Sequence, residues 1–141
     1  MEKIKYYIPY LGHGVKIYEY RKDLIDLKDK YFFIGKMSLN ADYTNPKNFS
    51  DGYMLALRPL SDLDKPIISG GLRLTPLYWW NEDDDATDKF NQMINLQKQR
   101  DFYLNYTSYE VLERLLCWHF DLFGLIEKGL AVDINTIKQN K

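Results

Sequence analysis

Cysteine is almost missing from this chain: Cys117 is the one thiol in 141 residues, which excludes an internal disulfide and any zinc centre built on several thiolates. Long apolar runs are missing too. No window approaches the roughly 18 consecutive apolar residues of a membrane span, and Met1-Glu2-Lys3-Ile4-Lys5-Tyr6 lacks the apolar stretch of a secretory leader. A soluble chain in the cytoplasm is therefore the expectation. Neither charge dominates, since 19 Lys and Arg stand against 20 Asp and Glu for a formal net charge of -1. That balance supplies neither the basic surface of a typical nucleic-acid binder nor the acidic surface of a nucleic-acid mimic. The hydrophobic and charged fractions, 45% and 28%, are those of ordinary globular chains, which argues against wholesale disorder and a low-complexity scaffold. The phosphate-cradling GxxxxGK, the dinucleotide-binding GxGxxG and the nucleophile-elbow GxSxG do not occur, so no cofactor is expected and no enzymatic role has support.

What the chain does have is ordinary globular chemistry with an excess of rings. Hydrophobic residues make up 45% and charged residues 28%, and there are 3 Trp, 12 Tyr and 7 Phe. This length fits a single domain, residues 1–141. The pattern of elements within it changes character near residue 80, from mainly β over about 1–80 to mainly helical over about 85–130. Ile4, Tyr6 and Ile8 alternate with polar or aromatic neighbours, as do Val15 and Ile17, which predicts two strands joined across Leu11-Gly12-His13-Gly14. A strand-and-turn reading covers 21–30 and a strand begins at Lys30-Tyr31-Phe32-Phe33. Asn40 to Gly52 reads as a loop, Tyr53–Leu57 as a strand, Ser61 to Pro66 as a polar turn and Leu72–Leu77 as a further strand.

Two helices follow. The first, over about Thr87 to Phe102, starts behind the acidic run Glu82-Asp83-Asp84-Asp85, which suits a helix N-terminus, and carries a narrow stripe of Phe90, Met93, Ile94 and Gln97. The second is announced by a capping box, Thr107-Ser108-Tyr109-Glu110, with Thr107 as N-cap. Its apolar residues from Val111 to Ile126 cover more than half the circumference and predict one buried helix stopping at Gly129. Ala131-Val132-Asp133-Ile134 reads as a short closing strand, and Lys138 to Lys141 as a frayed tail. Strands first and helices after them predict an α+β fold, a small bent antiparallel sheet from the N-terminal half packed by two C-terminal helices.

Candidates for chemistry are few. His13 between two glycines reads as the polar tip of a turn, and His119 as a core histidine. Cys117 and His119 do not form a dyad on one continuous helix, where residues two apart lie about 200° apart around the axis. The acidic run lacks the alternating ligands and distal Glu of a calcium loop and reads as a solvated helix start, so no metal is expected. The rings are more informative. Tyr78-Trp79-Trp80 follows the breaker Pro76 and abuts the acids, which predicts an exposed recognition patch in which an apolar ring sits beside a polar rim. Tyr43 and Tyr53, in or beside the turn-rich loop, are assigned to the same partner-binding set. Tyr6 and Tyr18, among Lys3, Lys5, Lys16 and Arg21, form the alternative, a sheet face that stacks the bases of single-stranded nucleic acid.

Three stretches of the chain resemble a group of small proteins encoded by phages and prophages of Bacteroidota. They are Ile8-Pro9-Tyr10 with Gly14-Val15-Lys16, then Leu57-Arg58-Pro59-Leu60-Ser61-Asp62-Leu63, and the run Trp118 to Thr136, which begins Trp118-His119-Phe120-Asp121-Leu122-Phe123-Gly124. The resemblance covers about a quarter of the chain and implies a phage genome, hence the cytoplasm of a bacterial host, without implying a mechanism. Together with the lack of a catalytic constellation it leads to the expectation of a non-enzymatic accessory protein. Such a protein binds a host or phage protein, with inhibition of a host defence complex such as a CRISPR effector as the specific form. A nucleic-acid partner is the less favoured reading. If the shared stretches are scaffold, partner choice belongs to the loops near 40–52 and 76–86.

Overall fold

The computed structural model describes residues 6–10, 12–22, 29–36, 53–82 and 84–139. Within them the fold is α+β, with a four-stranded mixed sheet, a separate two-stranded hairpin and three helices. The chain divides into two compact units, one formed by residues 1–58 and 124–141 and the other by residues 59–123.

The first unit is organised by β1 (Lys16–Lys22), β2 (Asp29–Lys36), β3 (Tyr53–Leu57) and β6 (Ala131–Asp133), in the spatial order β2-β1-β3-β6. The expected antiparallel pairing holds for β1 with β2 and for β1 with β3. β6 joins β3 in parallel, so the closing strand seen in the sequence completes the sheet from the far end of the chain. Sheet twist and alternation bury Ile17, Leu55 and Leu57 on one side and Ala56 and Val132 on the other. The helix α3 (Ile134–Gln139) starts where Asp133 accepts the Asn135 N–H at 2.8 Å, and it lays Ile137 against Ala56 and Val132. Residues 134–139 thus form a helix where the sequence suggested a strand end and the start of a tail.

The strand expected before the Gly12-His13-Gly14 break is not formed among the described residues. Ile8–Tyr10 is a short 3-10 turn instead, in which the Tyr10 N–H donates to the Tyr7 carbonyl at 2.9 Å. Proline fits such a turn because its φ is preset and its missing N–H would be unpaired there anyway. Tyr7 and Tyr10 are fully buried while Ile8 is 57% exposed, so burial here follows the two rings of the turn and not the alternation that predicted a strand. The Tyr7 hydroxyl donates to the Leu130 carbonyl, which ties the turn to the residue before β6, and burial pushes its phenol above the ordinary tyrosine range.

The second unit contains the hairpin β4 (Ile67–Ser69) and β5 (Leu72–Leu74), and the helices α1 (Ala86–Tyr103) and α2 (Tyr109–Cys117). Gly70 and Gly71 both have positive φ, 56° and 80°, which the two-residue turn of a tight hairpin requires. The polar turn expected at Ser61 to Pro66 is a 3-10 helix, Leu60–Asp64, whose Leu60 and Leu63 enter the core. α1 buries Met93 and Leu96, and Gln97 on the same side donates to the Leu60 carbonyl at 2.9 Å. Gln99 leaves helical geometry (φ -146°, ψ 73°) and kinks the helix near its end.

α2 corrects the second helix of the sequence at both ends. Its N-cap is Ser108, whose hydroxyl accepts the Val111 N–H at 3.4 Å, while the Thr107 hydroxyl donates back to Tyr103 O at 2.8 Å. At the other end the helix stops at Cys117. The His119 N–H donates to Leu116 O and the Phe120 N–H to Leu115 O, both at 2.9 Å, with His119 left-handed at φ 66°. This is the Schellman pattern, closed by the apolar pair Leu115 and Phe120 and built on histidine where glycine is usual. Because His119 lies beyond the helix, the angular argument separating it from Cys117 does not describe this segment. The same cap recurs at Gly129 (φ 75°), where Gly129 N–H donates to Ile126 O and Leu130 N–H to Leu125 O. The glycine stop is therefore real but closes its own short turn.

Candidate functional site

Pro76–Tyr78 is a 3-10 turn with Pro76 at its first position, held by Tyr78 N–H to Thr75 O at 3.0 Å and Trp79 N–H to Pro76 O at 3.2 Å. Successive side chains on such a turn point about 120° apart, and the two tryptophans separate accordingly. Trp80 is 6% exposed and belongs to the apolar core, whereas Tyr78 and Trp79 are 54% and 41% exposed. The burial of Trp80 takes it out of the surface patch.

Trp79 does not swing freely at the surface. Its ring stands edge-on to that of Trp118, with centroids 5.6 Å apart and planes at 85°, and Trp118 is itself 3% exposed. Trp80 meets the same indole at 6.1 Å. The Arg114 guanidinium lies 5.5 Å from the Trp79 ring and 5.8 Å from that of Trp118. Arg114 and Trp118 are four residues apart, the spacing that lets side chains meet along a helix face and its continuation, so this contact was readable from the sequence. Tyr78 leans on Phe90 of α1, centroids 6.0 Å apart.

Beneath this surface lies a buried cation that the sequence did not single out. Lys89 is buried along its whole length; its ammonium meets Glu110 at 2.8 Å and Asp85 at 3.3 Å and lies 5.2 Å from the Trp80 ring. Glu110, expected to close a capping box, is drawn across to α1 instead. Gln92 strengthens the same junction, accepting the Ser108 N–H at 2.8 Å and donating to Asp88 at 2.8 Å. The acidic start of α1 therefore has a structural use beyond the helix dipole, because two carboxylates neutralise a charge that burial would otherwise penalise.

The remaining candidates fall elsewhere. Tyr43 lies outside the described residues. Tyr53 opens β3, half-buried and in register with Glu19, and so belongs to the first unit while Tyr78 and Trp79 belong to the second. Tyr6 is half-buried, with the Lys128 ammonium 5.4 Å from its ring. Tyr18 is half-buried against Ala56, Val132 and Ile137 and meets Phe33 edge-on at 5.7 Å. Among the described residues no three His, Cys, Asp or Glu side chains gather into a cluster able to hold a metal ion, and no helix is long and apolar enough to cross a membrane. Comparison with protein-family models, with curated proteins and with solved structures gives no match to this chain.

Proposed function

We propose that this chain is a non-enzymatic phage accessory protein that acts by binding a host or phage protein, and that Tyr78 and Trp79 are its anchors. One observation carries the reading: Trp79 is an exposed indole already fixed by its contacts with Trp118 and Arg114. A ring that is ordered before binding loses little side-chain freedom when a partner covers it. Trp, Tyr and Arg are also the residue types that dominate interface energetics, and here exposed Trp79 lies beside the Arg114 guanidinium and next in sequence to exposed Tyr78. The resemblance of Leu57–Leu63 and Trp118–Thr136 to phage proteins supports the phage origin, and inhibition of a host defence complex, such as a CRISPR effector, is the specific form proposed.

The test is capture of a stoichiometric partner from host lysate by the tagged full chain, followed by affinity measurements on variants. Trp79→Ala should cost about 2 kcal/mol or more of binding, roughly thirtyfold in Kd. Its effect on melting should be small, limited to the edge-on contact with Trp118 and the Arg114 guanidinium beside the ring. A partner that binds Trp79→Ala and Tyr78→Ala as tightly as the parent chain would overturn the assignment, and failure to capture any stoichiometric protein would count against the protein-binding role itself.

A further inference from the structure

The register of β1 on β2 sorts charges and rings into rows. Lys16 is opposite Lys36, Tyr18 opposite Phe33 and Tyr20 opposite Tyr31, with the register shifting by one residue between Ile17 and Tyr18. Side chains alternate between faces, so the bulge brings these six onto the same face of the ribbon. The two ring pairs touch, with centroids 5.7 and 5.5 Å apart. Tyr18 and Tyr31 are partly covered by Ala56, Val132 and Ile137, while Phe33 is 55% and Tyr20 38% exposed. Lys16 and Lys36 are exposed at one end of the row.

Two lysines at directly opposite register positions weaken a strand pair. The near-neutral charge of the whole chain conceals the context. Residues 1–58 and 124–141 hold 13 Lys and Arg against 9 Asp and Glu, whereas residues 59–123 hold 6 against 11. Like charges at the end of a row of exposed rings, within a net basic unit, fit a ligand that is at once anionic and flat-faced.

We infer that this face of the β1–β2 ribbon binds single-stranded nucleic acid, with Phe33 and Tyr20 stacking on bases and Lys16 and Lys36 neutralising backbone phosphates. Single strands are specified because rings standing on a sheet reach only bases that are already unstacked. An acidic peptide would satisfy the lysines but leave the ring faces unused. The site is separate from Trp79 and does not depend on the protein-binding role. It moves the stacking role expected of Tyr6 and Tyr18 to Phe33 and Tyr20, because the Tyr6 ring faces Lys128 and Tyr18 packs against Ala56, Val132 and Ile137.

The test is fluorescence anisotropy of labelled oligothymidylate and oligouridylate with the full chain. Saturable binding is expected at low salt, weakening about sevenfold from about 50 to about 200 mM if two phosphates are neutralised. Phe33→Ala should weaken binding about tenfold with no loss of melting temperature, Tyr20→Ala should act in the same direction, and Lys16→Gln with Lys36→Gln should flatten the salt dependence. Should Phe33→Ala lower the melting temperature, Tyr20→Ala alone decides. The inference is overturned by absence of binding to either oligonucleotide at low salt, by tighter binding to the matching duplex, by binding that survives the deciding ring substitution, or by an acidic peptide displacing the probe as well as unlabelled oligonucleotide does.

Discussion

Residues 59–123 fold as one unbroken stretch around an interior of packed side chains, in which Leu63, Met93, Leu96, Val111, Leu115 and Phe120 are wholly buried and Trp80 and Trp118 meet ring to ring. The unit drawn from residues 1–58 and 124–141 closes in another way, by backbone pairing of β3 with β6 and a hydroxyl bridge from Tyr7 to Leu130. One unit depends on the fit of side chains drawn from a single continuous stretch, and the other on two distant segments meeting. Ring truncation should therefore injure the second unit most, and loss of single polar links the first.

The largest effect sharpens that contrast. Trp118→Ala or Trp80→Ala should cost about 3–5 kcal/mol of stability, because each removes a large buried ring from a core that cannot collapse onto the gap. Thermal denaturation read by circular dichroism checks this, and equal melting of either variant and the parent chain would remove these rings from the core.

A smaller loss tests the polar link. Tyr7→Phe should cost about 1–2 kcal/mol, since the Leu130 carbonyl loses a donor while the ring is kept. The same residue has a pH signature. Burial raises the phenol in the folded state above its unfolded value of about 10, so its contribution is complete below about pH 10 and is lost as pH rises through the folded value. Stability measured against pH should fall less steeply on the alkaline side in Tyr7→Phe than in the parent chain.

The smallest effect has the opposite sign. His119 holds a left-handed conformation at φ 66° in the cap that ends α2. His119→Gly removes the Cβ clash at the cost of a more flexible unfolded chain, and should stabilise by up to about 1 kcal/mol. Chemical denaturation resolves a change of that size, and a loss of stability would show that the imidazole's own contacts outweigh the strain.

These elements also show what the sequence made legible. The α+β class followed from strands preceding helices, and the onset of α2 was readable to within one residue because Thr107 and Ser108 are both capping types. Its end was not, since the left-handed residue is a histidine and Leu122, Leu125 and Ile126 keep helical spacing beyond it. Parallel pairing of β3 with β6 and the ion pair of Lys89 with Glu110 join segments distant along the chain, and no local pattern encodes them, whereas Lys89 with Asp85 is a local pair four residues apart. At the candidate patch, the turn after Pro76 was legible while the choice between Trp79 and Trp80 was not, because it depends on where a 3-10 turn points each ring.

The parallel pairing of β3 with β6 has a consequence for synthesis. β3 leaves the ribosome before all of residues 59–123, and β6 after them, so the nascent sheet waits with one flank of β3 unpaired while the intervening unit is free to condense. At an elongation rate of about 5–20 residues per second, that interval lasts several seconds, and for its duration Leu55, Ala56 and Leu57 offer an open backbone edge to whatever chain is nearby. In vectorial folding of this protein the last strand made is thus the one that seals the first sheet begun.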